Sequence, residues 1–256
     1  MFERVMTRCP SRQALLRHLT FQPVLPAYSK KAYARFERRA DRRRNDEAYS
    51  AAMVKLFAVL KPLDEVERAV PLRLSLIAPY SPTDPAHRDP RPWGSGYDPS
   101  LEVKGDLSDS RYEHSYLHIN KSSKFPFLDK ILRFYVATAG RRYMAPGPIF
   151  ALLENMHLLD DLHLNLYDNE KKKPALRKQL RIDFGKALSS TRCAHLTKMN
   201  LEYLFEEPCD HRFTGSDMRV AYREALCDPF SLGLRTFIST CSTLVRVSLS
   251  GPICVD

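Results

Sequence analysis

The chain has 256 residues, is 44% hydrophobic and carries a formal net charge of +10. That length makes one elongated repeat domain or two small globular ones. No stretch approaches the roughly 20 apolar residues that cross a bilayer, which argues against a helical membrane protein. The six cysteines, at 9, 193, 209, 227, 241 and 254, show no CxxC spacing. With no apolar signal-peptide core, disulfides are not expected, and the chain reads as intracellular, cytoplasmic or nuclear.

Residues 1–14 form a basic segment, with Arg4, Arg8 and Arg12 among Phe2 and Val5. The pattern continues to Leu15, Leu16 and Arg17 and resembles an organelle transit peptide, against which stand Glu3 and Pro10. Arg35, Arg38, Arg39, Arg42, Arg43 and Arg44 then crowd together. Such a block is read as a solvated face, with nucleic acid as a further partner class because arginines neutralise phosphates.

Four helical stripes follow. Met53, Leu56, Phe57 and Leu60 fit the i, i+3, i+4, i+7 rule, with Asp46 and Glu47 placed near the start of that helix. Ile149, Phe150, Leu153 and Met156 repeat it after Pro146-Gly147-Pro148. Leu176, Leu180, Phe184 and Leu188 form a row behind Pro174, which suits the first helical position, and Arg177, Lys178 and Arg181 are expected to face water. Phe230, Leu234, Phe237, Ile238 and Cys241 make the fourth stripe, with Asp228 as N-cap and Pro229 just inside. Each helix has one apolar side, which only packing against neighbours can bury.

Six apolar runs are interleaved with these helices: Leu16-Leu19-Phe21, Ala69-Leu72-Leu74, Ile131-Phe134-Val136, Leu159-Leu162-Leu164, Leu196-Met199-Leu201 and Leu244-Val247-Leu249. The last two members of each lie two apart, on one face of a strand. Helix-plus-strand units repeated in this way predict an α/β fold: an irregular leucine-rich-repeat-like solenoid over 15–256, with a short parallel sheet on one face and helices on the other. The residues between the apolar ones are polar. On neighbouring parallel strands, Asp161, His163 and Asn165 would lie beside Lys198, Asn200 and Glu202, and these beside Arg246, Ser248 and Ser250. This row is the expected protein-binding face.

The runs begin at uneven intervals, so long insertions leave the repeat. The largest, 78–113, mixes Pro79, Pro82, Pro85, Pro90, Pro92 and Pro99 with small polar residues. It is expected to be disordered or a surface flap, with Trp93 and Tyr97 as alternative binding anchors. A shorter excursion runs from Phe205 to Met218. The chain stops at Asp256 directly after a repeat strand without a polar cap, the pattern expected of a truncated or degenerate copy or of an incomplete gene model.

Four segments carry a resemblance to a known family: LRLSLIAPYSPTDPAHR (72–88), LYDNEKKKPALRKQLRIDFGKAL (166–188), LTKMNLEYLFEEPCDHRF (196–213) and LVRVSLSGPICVD (244–256). They resemble the fungal F-box-type leucine-rich-repeat proteins, most specifically around Asp168-Asn169-Glu170 and the following helix. The resemblance implies a non-enzymatic recognition module that holds a substrate for a cullin-type ubiquitin ligase, with ubiquitin-ligase subunits among its partners. Residues 1–45 depart from that plan. Leu25-Pro26 is followed by tyrosine and a basic run instead of the apolar helical triplet of an F-box.

Catalytic patterns are weak. His87-Arg88-Asp89 and Asp183-Phe184-Gly185 imitate two protein-kinase triplets, but Gly94 stands where the catalytic loop needs asparagine, and no glycine-rich loop or strand lysine precedes them. Cys193 with His195 and Cys209 with His211 could offer zinc ligands, yet an intervening strand of nine residues would hold the pairs roughly 30 Å apart. His163 lies close in sequence to Asp160 and Asp161, but that spacing places no nucleophile. No catalytic residue, cofactor or metal is therefore assigned.

Overall fold

The computed structural model describes residues 14–66, 70–84, 107, 111–112, 115–120, 123–137, 142–168, 174–205 and 228–250. Six strands are present: β1 (His18–Phe21), β2 (Leu72–Ile77), β3 (Ile131–Ala137), β4 (Asp161–Asp168), β5 (Lys198–Phe205) and β6 (Arg246–Ser250). They form one open sheet in the order β1-β2-β3-β4-β5-β6, and every neighbouring pair is parallel. The α-helices are α1 (Arg39–Leu60), α2 (Pro146–Leu153), α3 (Pro174–Ser190) and α4 (Pro229–Thr240), with 3-10 turns at Lys30–Ala34 and Lys61–Glu65.

All six apolar runs fall at these strands. In register, Leu19, Leu74, Phe134, Leu162, Met199 and Val247 form one rung, and Phe21, Leu76, Val136, Leu164, Leu201 and Leu249 the next. The second run is framed differently from the sequence expectation. Leu72 pairs with Ile131 and takes the first position, so the run is Leu72-Leu74-Leu76, with a register shift between Leu72 and Arg73 supplying the missing residue. Ala69 lies outside the described residues. A shift of this kind in one of two paired strands is what a β-bulge produces, and apolar spacing alone does not reveal it.

The apolar face of the sheet packs on the helices in one continuous core. Met53, Leu56, Phe57 and Leu60 of α1, Ile149, Phe150 and Leu153 of α2, Phe184 and Leu188 of α3, and Phe230, Leu234 and Phe237 of α4 all join it. Met156 is buried there too, although α2 ends at Leu153. Full burial of such a side chain stabilises by about 1.5–3 kcal/mol. Asp228 caps α4 by accepting from the Ser231 amide, and Pro229 occupies the first turn as expected.

Three helix details differ from the sequence reading. α1 begins at Arg39, so Asp46 and Glu47 lie about two turns beyond its start, and Asp41 is the acid of its first turn. The basic block therefore supplies helical residues: Arg43 pairs with Glu47 at 3.2 Å and Arg44 with Asp41 at 3.0 Å. Arg181, expected to face water, is buried at 2% exposure and ion-paired to Asp228, with its guanidinium 4.9 Å from the centre of the Phe230 ring. Its place on α3 lies next to α4, which the stripe of a single helix does not foretell. Lys178 is exposed as expected.

α3 and α4 meet backbone to backbone. A Cβ on Gly185 would lie 2.6 Å from the carbonyl carbon of Pro229, and one on Gly233 would lie 2.5 Å from the Cα of Gly185. Side chains would hold the helices apart; two facing glycines let them touch. The Asp183-Phe184-Gly185 triplet thus has a packing explanation, since Phe184 is fully buried between Phe150, Tyr203 and Phe230.

At the β1 side, the ends of the long insertion are built into the fold. Arg111, 0% exposed, donates to the carbonyls of Ala32 and Arg35 (2.8 Å for the second) and to Asp41 at 3.0 Å, and stacks 4.5 Å from the centre of the Tyr28 ring. Arg142 pairs with Glu37 at 2.7 Å and lies 4.0 Å from the centre of the Tyr112 ring. Asp84 accepts from the hydroxyls of Tyr33 and Tyr112 and from the Ser81 amide. Burial raises the Tyr28 hydroxyl to about 12 and raises that of Tyr112 as well, so both stay protonated and donate, to Glu37 and Asp84 respectively. The expectation of a disordered loop or surface flap is therefore corrected at 78–84 and 111–112. Trp93, Tyr97 and the excursion beyond Phe205 lie outside the described residues.

The two described cysteines, Cys193 and Cys241, are buried and free. Burial pushes the Cys193 thiol up to about 12, with Cys241 and Glu154 adding to the effect. Thiolate is the reactive form. In native protein, Cys193 is expected to resist a maleimide that labels it readily after unfolding in urea, read by mass spectrometry of peptides; rapid native labelling would contradict this. No group of three His, Cys, Asp or Glu residues suited to a metal occurs among the described residues, and Cys209 and His211 lie outside them. No described helix is long and apolar enough to cross a membrane.

Candidate functional site

The sheet face opposite the helices carries the polar residues that alternate with the core rungs. Parallel pairing aligns them in three rows. The first runs His18, Arg73, Arg133, Asp161, Lys198 and Arg246 along the strand starts. The second is Thr20, Ser75, Tyr135, His163, Asn200 and Ser248, and the third Ile77, Ala137, Asn165, Glu202 and Ser250. All nine residues expected on this face are brought together in the expected register: Asp161 beside Lys198 and Arg246, His163 beside Asn200 and Ser248, Asn165 beside Glu202 and Ser250.

Contacts cross the rows as well as following them. Asn200 Nδ2 lies 3.2 Å from His163 Nδ1, His163 Nε2 is 3.5 Å from Glu202 Oε1, and Asn165 Nδ2 donates to Glu202 Oε2 at 2.7 Å. Tyr135 stands edge-on to the His163 ring at 4.5 Å, and Arg73 lies 5.6 Å from the Tyr135 ring centre. His18 and Ser75 are joined at 3.0 Å at the β1 end. The centre of the face is thus held in place before any ligand arrives, which lowers the ordering cost of binding.

Among the described residues, no hydroxyl or thiol is hydrogen-bonded to His163. The pair with Glu202 fixes the ring and places no nucleophile beside it. Asp160, the neighbour in sequence, serves the backbone: its carbonyl accepts from the amides of Thr197 and Lys198, and its side chain from the Thr197 hydroxyl.

The residues missed from sequence are the contributions of β2 and β3, namely Arg73, Ser75, Arg133 and Tyr135. Their alternation with Leu72, Leu74, Leu76, Phe134 and Val136 is as plain as in the later strands. The expected face is built from the three later runs alone, although the alternation on β2 and β3 supports extending it across them.

Compared with family models, curated proteins and solved structures, the chain gives no match.

Proposed function

We propose that this chain is an irregular leucine-rich-repeat-like solenoid and that its polar sheet face binds another protein, without chemistry of its own. The observation that carries the reading is the consecutive order of six parallel strands, which gathers side chains from distant segments into continuous rows. An array of this kind offers many anchor points side by side, which suits recognition of an extended surface. The resemblance to F-box-type repeat proteins supports a finer version, in which the bound protein is a substrate presented to a cullin-type ubiquitin ligase.

The test is affinity capture of the tagged full chain from its native host, followed by mass spectrometry. A reproducible protein partner is expected, lost when Tyr135→Ala and Asn200→Ala are combined and retained when exposed Arg42 and Arg43 of α1 are replaced by alanine. Thermal unfolding confirms that the variants remain folded. Co-purification of the cullin adaptor would support the ligase version. A partner set unchanged by the double substitution would overturn the sheet-face reading, and capture of nucleic acid dependent on Arg42 and Arg43 would favour the basic helix as the functional surface.

A further inference from the structure

Resting on the sheet-face reading, we infer that the partner presents an acidic, extended segment that lies across the strand starts, over the row Arg73, Arg133, Lys198 and Arg246. These four cations occupy corresponding positions on β2, β3, β5 and β6, and all are exposed. None forms an ion pair among the described residues, whereas Arg43 and Arg44 on α1 each have an acidic partner. Asp161 on β4 is the one acid in the row. The cations are therefore organised by the fold and left uncompensated by it. Bringing like charges into line costs free energy that an anionic ligand would recover.

Geometry sets the size of the ligand. Five adjacent strands at about 4.8 Å span roughly 19 Å from Arg73 to Arg246, the reach of about six residues of extended chain. Alternate side chains of such a segment point the same way about 7 Å apart, so a carboxylate at one position can reach between Arg73 and Arg133 and one four residues on, about 14 Å away, between Lys198 and Arg246. Asp161 separates the two cationic pairs and favours a neutral residue between the acidic ones. The second row adds neutral hydrogen-bonding groups beside the track, from Tyr135, Asn200 and Ser248.

The experiment measures fluorescence anisotropy of a dye-labelled peptide with glutamate at every fourth position and serine between, with the full chain. Binding is expected, weakening as salt is raised because exposed charges are screened. Combining Arg133→Glu with Lys198→Glu should weaken it about tenfold or more, since like charges then face each other. Asp161→Asn should tighten it, and Arg42→Glu with Arg43→Glu should leave it unchanged. An absence of peptide binding, equal loss with the α1 pair, or tighter binding of single-stranded DNA on the same row would each overturn the inference. If no peptide binds while partner capture still depends on Tyr135 and Asn200, the acidic segment falls and the sheet-face reading stands.

Discussion

Gly185→Ala is expected to destabilise the chain by about 2–3 kcal/mol or more, because an added methyl must displace backbone and no flexible side chain is there to yield. The Cβ would meet the carbonyl of Pro229, in the first turn of α4, with Phe230 N at 3.1 Å behind it. Relief requires α4 to move off α3, and that opens the aromatic cluster of Phe184, Tyr203 and Phe230, whose ring centres stand 4.7–5.7 Å apart. Urea unfolding with far-ultraviolet circular dichroism measures the loss. Gly147→Ala provides the comparison, since a Cβ there meets nothing closer than 3.8 Å and has room. If the two substitutions cost the same, the close approach of α3 and α4 is wrong.

Arg111→Ala is expected to cost about 3–5 kcal/mol, the range for removing one partner of a buried ion pair and leaving the other uncompensated. The guanidinium holds two carbonyls and the Asp41 carboxylate together and fills the space against Tyr28. Arg111→Lys should rescue little, because an ammonium lacks both the planar fork and the stacking surface. Arg43→Ala, which breaks an exposed pair, should cost less than about 1 kcal/mol. The pH dependence has a definite sign. Burial opposes ionisation of Asp41, but the Arg38 amide and Arg111 outweigh it and hold the carboxyl below its ordinary 3.8. A depressed folded value contributes stability above the unfolded one and loses it as pH falls through the folded one. The gap between wild type and Arg111→Ala should therefore narrow on acidification below about pH 4. A gap of constant size would mean that Asp41 is not the partner that matters.

Much of the sheet was legible because burial on one side imposes a period of two, and a parallel ladder then fixes which residues share a face. That logic placed His163 beside Asn200 and Asn165 beside Glu202 from spacing alone. It misframed β2, whose period of two is unbroken, because β3 carries an extra residue, Leu132, opposite the step from Leu72 to Arg73. The polar cluster at the β1 side was not legible at all. Its members come from residues 28–45, 81–84, 111–115 and 142, and no local pattern links an arginine in a proline-rich insertion to a carboxylate at a helix start. Arg181 shows the same limit. A lone helix displays which side is greasy, but a charged residue at its margin becomes buried only when a second helix closes over it.

Because strand neighbours on the sheet are also neighbours along the chain, the stretches joining them can lengthen or shorten without altering which strand lies beside which. The starts of β1 to β6, at 18, 72, 131, 161, 198 and 246, already show spacings from thirty residues to nearly sixty. An architecture so indifferent to insertions leaves its outward rungs free to be rewritten one residue at a time while the hydrophobic ladder beneath stays put.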